Sequence, residues 1–171
     1  MSNGMASAVC INKSKKEILL VLNADPKKPL GFWGLPGGKM KNKETAEIGV
    51  IRELYQETNQ EGKVLKYRMK IPKIGSDGEY IHHFIAAKIV SREKELKNYE
   101  DSKAIPKWIP LHEIIAGRIK MFRGHILGLI MILEKMAEEK ETDKNGIRIF
   151  SDGSFLAMEM LVELKNAFYF K

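Results

Sequence analysis

A glycine-rich loop leads directly into a charged helix in the first third of the sequence. The loop reads Gly31-Phe-Trp-Gly-Leu-Pro-Gly-Gly-Lys39. Because glycine has no side chain, the Pro36-Gly37-Gly38 turn can bring its backbone close to a ligand or a metal ion, which makes Gly38 a candidate for substrate contact. Residues 45–57 carry apolar side chains at three- and four-residue steps, which predicts a helix. These apolar positions are Ile48, Ile51, Leu54 and Tyr55.

Two carboxylates share one face of this predicted helix. Glu53 and Glu57 are four residues apart, and Gln56 is next to Glu53 at the three-residue step. Two carboxylates on one face repel each other unless a cation lies between them. Their oxygens suit Mg²⁺ or Mn²⁺, which also bind the oxygens of a diphosphate. A Glu-x-x-x-Glu pair alone is more typical of a solvated helix face, but the glycine loop and the spacing of Glu44 and Arg52 favour a metal site.

The loop and helix together have the spacing G-x5-E-x7-R-E-U-x-Q-E-x-N, where U is apolar. This resembles the Nudix box, G-x5-E-x7-R-E-U-x-E-E-x-G-U, the signature of Nudix (MutT-like) hydrolases, which cut diphosphates linked to a nucleoside or similar group. The matching positions are Gly38, Glu44, Arg52, Glu53, Leu54 and Glu57. The positions that differ are Gln56, Asn59 and Gln60. Six such matches would arise by chance with odds of roughly 10⁻⁴ or less.

The resemblance implies both a fold and a set of roles. The fold would be α/β, an α/β/α sandwich around a mixed β-sheet, and the activity a metal-dependent cleavage of a diphosphate linkage with Mg²⁺ or Mn²⁺ as cofactor. Glu53, Glu57 and the carbonyl of Gly37 would hold the metal. Arg52 would pair with Glu44 and orient the glutamates. Glu53 is our choice for supporting the attacking water.

Two departures from the box have different consequences. Asn59 stands where the helix should end, and asparagine tolerates the left-handed conformation almost as well as glycine does. Gln56 replaces a glutamate, and its amide oxygen can bind Mg²⁺ but brings no charge. Three interpretations are open: a natural enzyme with fewer or weaker metals, an engineered replacement of a native glutamate, or a domain that binds its ligand without hydrolysis.

Further candidates lie outside the helix. Glu100 and Asp101 could complete the metal site, as a later acidic loop does in some relatives, although ordinary solvation is more typical of each alone. Phe32 and Trp33 could stack on a base or anchor the loop to the core. Lys39 could meet phosphates or be solvated.

One strand face carries aromatic residues whose role is open. Tyr80, His82 and Phe84 alternate along the predicted strand, and such a face is more typical of core than of a cleft. His82 and His83 point to opposite sides, which argues against a paired metal site.

Alternating and helical patterns predict the remaining elements. We expect strands at 6–11, 17–23, 63–71, 79–90 and 147–150, a strand and short helix within 107–115, and helices at 122–139 and 154–170. We expect a hairpin between the first two strands, a turn at 75–78, a loop at 24–29 and a charged break at 140–145. Helices mixed with hairpins favour an α/β sandwich around a mixed sheet.

The C-terminal part extends beyond a minimal Nudix fold. We predict a Nudix domain at 1–139 and an extension at 140–171, packed on the domain or at a dimer interface. The helix at 122–139 has no polar stripe, so it must be covered on several sides. The last helix could cover it or form a homodimer interface, and we favour both.

Composition restricts the setting and the substrate. Cys10 is the single cysteine, no signal peptide is evident, and the most apolar run, 126–133, is far too short to span a bilayer. These features predict a soluble, cytoplasmic protein. The net charge of +7 suits a phosphate-rich nucleotide and also an RNA 5′ end.

Residues that mark particular Nudix subfamilies are missing after the box. Pro72 comes too early for the proline of ADP-ribose hydrolases, Tyr80 comes slightly late for the tyrosine of diadenosine polyphosphate hydrolases, and the coenzyme A motif is absent. A nucleoside triphosphate or nucleoside diphosphate derivative is left as the substrate. The alternative is an impaired domain that binds a nucleotide or RNA end as a sensor.

Overall fold

The computed structural model of the protein describes residues 4–23, 31–76, 78–90, 95–97, 104–142, 148–150 and 152–169. Within these residues the strands are β1 (Met5–Val9), β2 (Ile11–Asn12), β3 (Glu17–Asn23), β4 (Trp33–Gly34), β5 (Gly37–Lys39), β6 (Gly62–Gly75), β7 (Gly78–Ile89), β8 (Ala104–Pro110), β9 (Lys140–Thr142) and β10 (Arg148–Phe150). The helices are α1 (Ala46–Thr58), α2 (Leu111–Ile115), α3 (Arg123–Ala137) and α4 (Asp152–Tyr169).

Two sheets form the body of the molecule. The first has the strand order β5-β1-β7-β6, with β1 parallel to β7 and the other pairs antiparallel, so it is a mixed sheet. The second is antiparallel and consists of β2, β4 and β8 around β3. This arrangement confirms the predicted α/β class.

The two central strands of the first sheet, β1 and β7, are buried, and their alternate side chains point to opposite faces of the sheet. Ala6 and Ala8 pack with the α1 residues Val50 and Leu54 in one apolar cluster. Val9 instead belongs to a second, larger cluster that contains the apolar residues of α3. The sheet therefore lies between α1 and α3.

The predicted hairpin between residues 6–11 and 17–23 is only partly correct. The strand ends at Val9 and pairs with β5 and β7, and only the short β2 pairs with β3. The physical reason is burial on both faces, which places β1 inside a sheet rather than in a two-stranded hairpin. The predicted break at 140–145 also begins with a strand, β9, which pairs with β10.

Local signals fix both ends of α1. The hydroxyl of Thr45 accepts a hydrogen bond from the Ile48 N–H at 3.3 Å, which caps the first turn. Asn59 has φ 58° and donates its N–H to Tyr55 O at 2.8 Å. The expectation that Asn59 ends the helix in the left-handed conformation is confirmed.

The C-terminal helix joins the main core. Ala157, Met160 and Leu164 of α4 are buried in the same cluster as α3. On its sheet side, α3 lies so close that a Cβ on Gly128 would be 2.3 Å from the Phe84 ring. The apolar α3 is thus covered by the sheet and by α4, as its composition requires. Among the helices in the described part of the chain, none is long and apolar enough to cross a membrane.

Candidate active site

The glycine turn lies alongside α1 because β5 pairs with the buried strand β1. Gly37 is opposite Ser7, and a Cβ on Gly37 would lie 2.3 Å from Ser7 Oγ. A Cβ on Gly38 would lie 2.5 Å from Glu53 Oε1. At Gly37 a Cβ would also lie 2.4 Å from the Ala6 carbonyl oxygen, so glycine is needed there, whereas at Gly38 a larger residue would displace the Glu53 carboxylate.

Both predicted carboxylates reach this turn. The Gly37 N–H donates to Glu57 Oε2 at 2.8 Å. The Glu53 carboxylate lies against Gly38, one residue further along. The structure therefore brings two carboxylates to two consecutive backbone units, and carboxylate oxygens are ligands of the kind that Mg²⁺ binds.

Arg52 holds the acidic residues of the site together. Its Nε and Nη2 each donate to the Glu44 carboxylate at 2.8 Å. Its Nη1 donates to Glu53 Oε1 at 2.6 Å and to Gln56 Oε1 at 2.8 Å, and Nη2 also donates to Lys39 O at 3.1 Å. The guanidinium thus links α1 to the loop that precedes it.

The Arg52–Glu44 pair is strongly ionised. Hydrogen bonds from Arg52 lower the pKa of Glu44 to about 2, and the Lys41 N–H, at 2.8 Å from Glu44 Oε2, acts in the same direction. The same bonds to Glu44 raise the pKa of Arg52 above its usual value. The pair stays charged over the physiological pH range.

Gln56 lies in the site but faces Arg52. Its amide oxygen, the atom predicted as a metal ligand, accepts the Arg52 Nη1 hydrogen bond. A metal ion would have to share or displace that bond to use this oxygen.

The other residues predicted for the site do not lie against the Glu53 and Glu57 carboxylates in the described contacts. Phe32 stacks on Phe122 with ring centroids 5.2 Å apart, and Trp33 packs against the main core, so both anchor the loop in this structure. The side chain of Lys39 is exposed. Glu100 and Asp101 lie outside the described residues. Within the described ranges, no group of three or more His, Cys, Asp or Glu side chains could hold a metal ion.

A second set of residues, which the sequence patterns hardly indicate, lies behind the turn. Ser7 Oγ and His82 Nε2 are 2.9 Å apart beneath Gly37, and both side chains are buried. His125 Nδ1 accepts the Leu35 N–H at 2.8 Å. A lone serine in an otherwise apolar strand was the available signal for Ser7, whereas nothing in the spacing of α3 pointed to His125.

His82 is held in its neutral form. The pKa of His82 is lowered from 6.5 to about 3, mainly by burial and in smaller part by the charges of His125, Lys73 and His83. These groups come from α3, β6 and the neighbouring position on β7. A depressed pKa means that the unfolded chain binds a proton more readily than the folded one.

We therefore expect the free energy of unfolding to fall as the pH drops from 6.5 towards about 3. For one proton the slope is at most about 1.4 kcal/mol per pH unit. Urea unfolding between about pH 7 and about pH 5, where His rather than carboxyl groups titrate, measures it. His82→Phe should flatten the slope, and His112→Gln, at an exposed histidine, should not. An equal slope in His82→Phe and the unsubstituted protein would contradict this account.

The sequence and the fold are similar to those of known proteins. The NUDIX domain model matches residues 2–128. A Nudix hydrolase from Nitrosomonas europaea superimposes with a TM-score of 0.63 at 17% identity, over 79% of this chain and 90% of that one. The Nudix domain of Shewanella oneidensis NrtR, complexed with ADP ribose, gives 0.58 at 20% identity, over 79% and 88%. No curated sequence matches the chain.

A third similar structure contains a metal. The bifunctional NMN adenylyltransferase/ADP ribose pyrophosphatase of Francisella tularensis, complexed with AMP and a manganese ion, gives a TM-score of 0.55 at 24% identity, over 79% of this chain and 42% of that one. At such identities the likeness shows a shared fold. Together with the domain match it establishes the class: the chain belongs to the Nudix family.

Proposed function

We propose that the protein is a metal-dependent Nudix pyrophosphohydrolase that cleaves a diphosphate linkage in a nucleoside tri- or diphosphate derivative. The observation that carries the proposal is the meeting of Glu53 and Glu57 at the Gly37-Gly38 backbone. Family membership supports it, as do similar structures complexed with ADP ribose or AMP. The net charge of +7 suits a substrate rich in phosphate.

The residues at the turn fit a hard divalent cation, because they offer oxygen atoms and negative charge. Glu53, Glu57 and the Gly37 carbonyl would hold Mg²⁺ or Mn²⁺, with Glu100 or Asp101 as candidates to complete the set. The bound cation would neutralise phosphate charge and lower the pKa of a water. Glu53 is the group proposed to take a proton from the attacking water.

The surrounding residues would orient these groups and the substrate. Arg52, anchored by Glu44, fixes one oxygen of Glu53 and so sets the direction of the carboxylate. Lys39 follows Gly38 and is exposed beside the turn, where it would meet phosphate oxygens. Phe32 and Trp33 anchor the loop beside the turn, and we expect this loop to line the substrate-binding site.

A nucleotide panel tests this proposal. Nucleoside triphosphates, nucleoside diphosphate derivatives, ADP-ribose and a 5′-triphosphorylated RNA are incubated with Mg²⁺ or Mn²⁺, and phosphate is measured after treatment with a phosphatase. Turnover of a nucleotide supports the enzyme. Binding of a nucleotide or RNA end without turnover would instead support the sensor, the alternative that Gln56 favours because it lowers the negative charge of the site.

Gln56→Glu should lower the Mg²⁺ concentration needed for half-maximal rate by roughly 10-fold, since a carboxylate adds charge to the site. The measurement is a metal titration of the initial rate. Ile48→Glu adds the same charge at an exposed position of α1 and serves as the control. Equal metal dependence in Gln56→Glu and Ile48→Glu would place Gln56 outside the metal site.

We also propose a homodimer formed through α4. Phe155, Met158, Val162 and Tyr169 recur along one side of this helix, and their exposed fractions lie between 37% and 59%. An apolar stripe of this kind can be covered by the same stripe of a second copy around a two-fold axis.

Sedimentation velocity should therefore show a dimer that Val162→Glu converts to a monomer. Ile74→Glu, at an exposed apolar residue near the β6–β7 turn, should leave the dimer intact. A monomer at all concentrations of the unsubstituted protein would remove the proposal.

A further inference from the structure

The glycine turn is held by three elements at three consecutive residues. The Leu35 N–H donates to His125 Nδ1 of α3 at 2.8 Å. The Pro36 carbonyl accepts the Ala8 N–H of β1 at 2.8 Å, and the Gly37 N–H donates to Glu57 of α1 at 2.8 Å. The hydrogen bond to His125 comes from the α3 side of the sheet.

The His125 ring is fixed in orientation by its neighbours. A Cβ on Gly34 would lie 3.1 Å from His125 Nδ1 and 3.2 Å from Cε1, so the ring lies against the loop backbone. It meets the rings of His82 and Phe84 edge-on, with centroids 5.4 Å and 5.9 Å away, and the Phe122 ring at 5.7 Å. The ring therefore has little freedom to turn its Nδ1 away from Leu35.

The segment that carries His125 is tied to the loop by its backbone as well. The Trp33 N–H donates to Lys120 O at 2.8 Å, and the Phe122 N–H donates to Trp33 O at 3.1 Å. His125 lies in the first turn of α3, which begins at Arg123. The apolar residues of α3 are buried in the main core. His125 and these backbone bonds therefore connect the start of α3 to the loop that carries the glycine turn.

His82 supports the other end of the same turn. Its Nε2 lies 2.9 Å from Ser7 Oγ, and the Ser7 side chain fills the space next to Gly37 that a Cβ would need. Because the His82 and His125 rings touch edge-on, the two histidines form one layer beneath Leu35 and Gly37. The turn thus rests on two histidines that sequence patterns did not connect with it.

We propose that His125 is a positioning residue for the metal site: by accepting the Leu35 N–H at Nδ1 it sets the place of the Gly37 backbone, whose N–H donates to Glu57 and whose carbonyl is the proposed metal ligand. The inference rests on the proposed function, because it takes that carbonyl as a metal ligand. Leu35 is fully buried, so loss of the acceptor leaves a buried N–H unpaired and lets the turn shift. Groups that orient metal ligands typically change metal affinity by 10- to 100-fold when they are replaced.

Two substitutions of similar size distinguish the effect of the hydrogen-bond acceptor at the Nδ1 position from the effect of side-chain volume. The side-chain oxygen of asparagine reaches the place of Nδ1, whereas that of glutamine lies one carbon further out. We expect His125→Asn to retain metal affinity within about 3-fold and His125→Gln to weaken it by about 10-fold or more. His83→Gln, on the opposite face of β7, is the control.

The primary measurement is Mn²⁺ binding in the absence of nucleotide. The concentration of free Mn²⁺ is monitored by electron paramagnetic resonance, so this measurement does not depend on turnover. Hydrolysis is measured alongside, and His125→Gln should raise the Mg²⁺ requirement more than the KM for nucleotide. Equal Mn²⁺ affinity in His125→Gln and the unsubstituted protein would overturn the inference and leave the proposed function standing. Failure of the unsubstituted protein to bind Mn²⁺ would overturn both.

A measurement on the unsubstituted protein applies even where a variant does not fold. An Nδ1 that accepts a hydrogen bond requires the proton of the neutral ring on Nε2. Nitrogen-15 NMR of the imidazole should show this tautomer for His125, with slow exchange of the Leu35 amide. A proton on Nδ1 would rule out the bond and with it the positioning role.

Discussion

Glu57→Gln is expected to reduce kcat/KM for diphosphate hydrolysis by about 10³-fold, which corresponds to roughly 4 kcal/mol of lost transition-state stabilisation. The substitution removes a negative charge and almost no volume. The glutamine oxygen can still accept the Gly37 N–H that Glu57 Oε2 accepts at 2.8 Å, so the turn should stay in place. The loss therefore reports on charge at the metal site rather than on folding.

Glu47→Gln is the matched control for this experiment. Glu47 lies on the same helix, and its partner Arg68 is about half exposed, so its charge contributes little to the fold or the site. Rates and Mn²⁺ affinity are measured for both variants, together with thermal unfolding. If Glu57→Gln retained activity within about 10-fold, less than a lost metal-site charge should cost, Glu57 would not be a metal ligand, and the site would have to be sought elsewhere.

The helix of the site was predictable because its contacts are local. The face shared by Glu53 and Glu57 follows from the helical repeat, and the end of the helix at Asn59 follows from the conformational tolerance of asparagine. The approach of the glycine turn was implied by the resemblance to the Nudix box. The structure adds the contacts: Arg52 on Glu44, and Glu57 on the Gly37 N–H.

The support of the turn was not predictable because its contacts are distant in sequence. Ser7 meets His82 across 75 positions, and Leu35 meets His125 across 90 positions. No spacing rule links residues on β1, β7 and α3, since only the packing of the sheet against α3 brings them together. The same reason explains why the sequence pattern predicts a hairpin for β1: its parallel partner β7 lies more than seventy residues further along.

The position of Gln56 also shows the limit of a spacing argument. The helical repeat placed Gln56 beside Glu53, and the structure agrees, but the amide oxygen accepts a hydrogen bond from Arg52. Which of two neighbouring groups an amide oxygen meets depends on the rotamer and on the reach of Arg52. Packing in three dimensions determines this hydrogen-bond partner, and residue spacing alone does not.

Arg52→Ala is expected to lower the free energy of unfolding by about 3–5 kcal/mol and to abolish most of the activity. The Arg52 side chain is 18% exposed and that of Glu44 is 7% exposed, so removal of the guanidinium leaves a buried carboxylate with no positive partner and only the Lys41 N–H as a donor among the described residues. Glu53 and Gln56 lose the same donor. Arg52→Lys should recover only part of the loss, because one ammonium group cannot replace the planar guanidinium.

The pH dependence of the free energy of unfolding is an independent test of the Arg52–Glu44 ion pair. Glu44 has its pKa lowered to about 2 from 4.5, so its contribution to stability is full above 4.5 and is lost as the pH falls towards about 2. Arg52→Ala removes the main cause of that shift and should flatten the acid unfolding curve over this window. Urea unfolding at a series of pH values measures both effects in one set of data.

Arg68→Ala is the control for Arg52→Ala, since the Arg68–Glu47 ion pair is exposed and such pairs contribute about 0–1 kcal/mol. A double substitution of Arg52 and Glu44 by alanine should be less destabilising than the sum of the two single changes, because it leaves no unpaired charge. Additive effects would mean that the two side chains stabilise the fold independently. In that case the Arg52–Glu44 ion pair would not be the source of the lost stability, and Arg52 would act on the site through its hydrogen bond to Glu53.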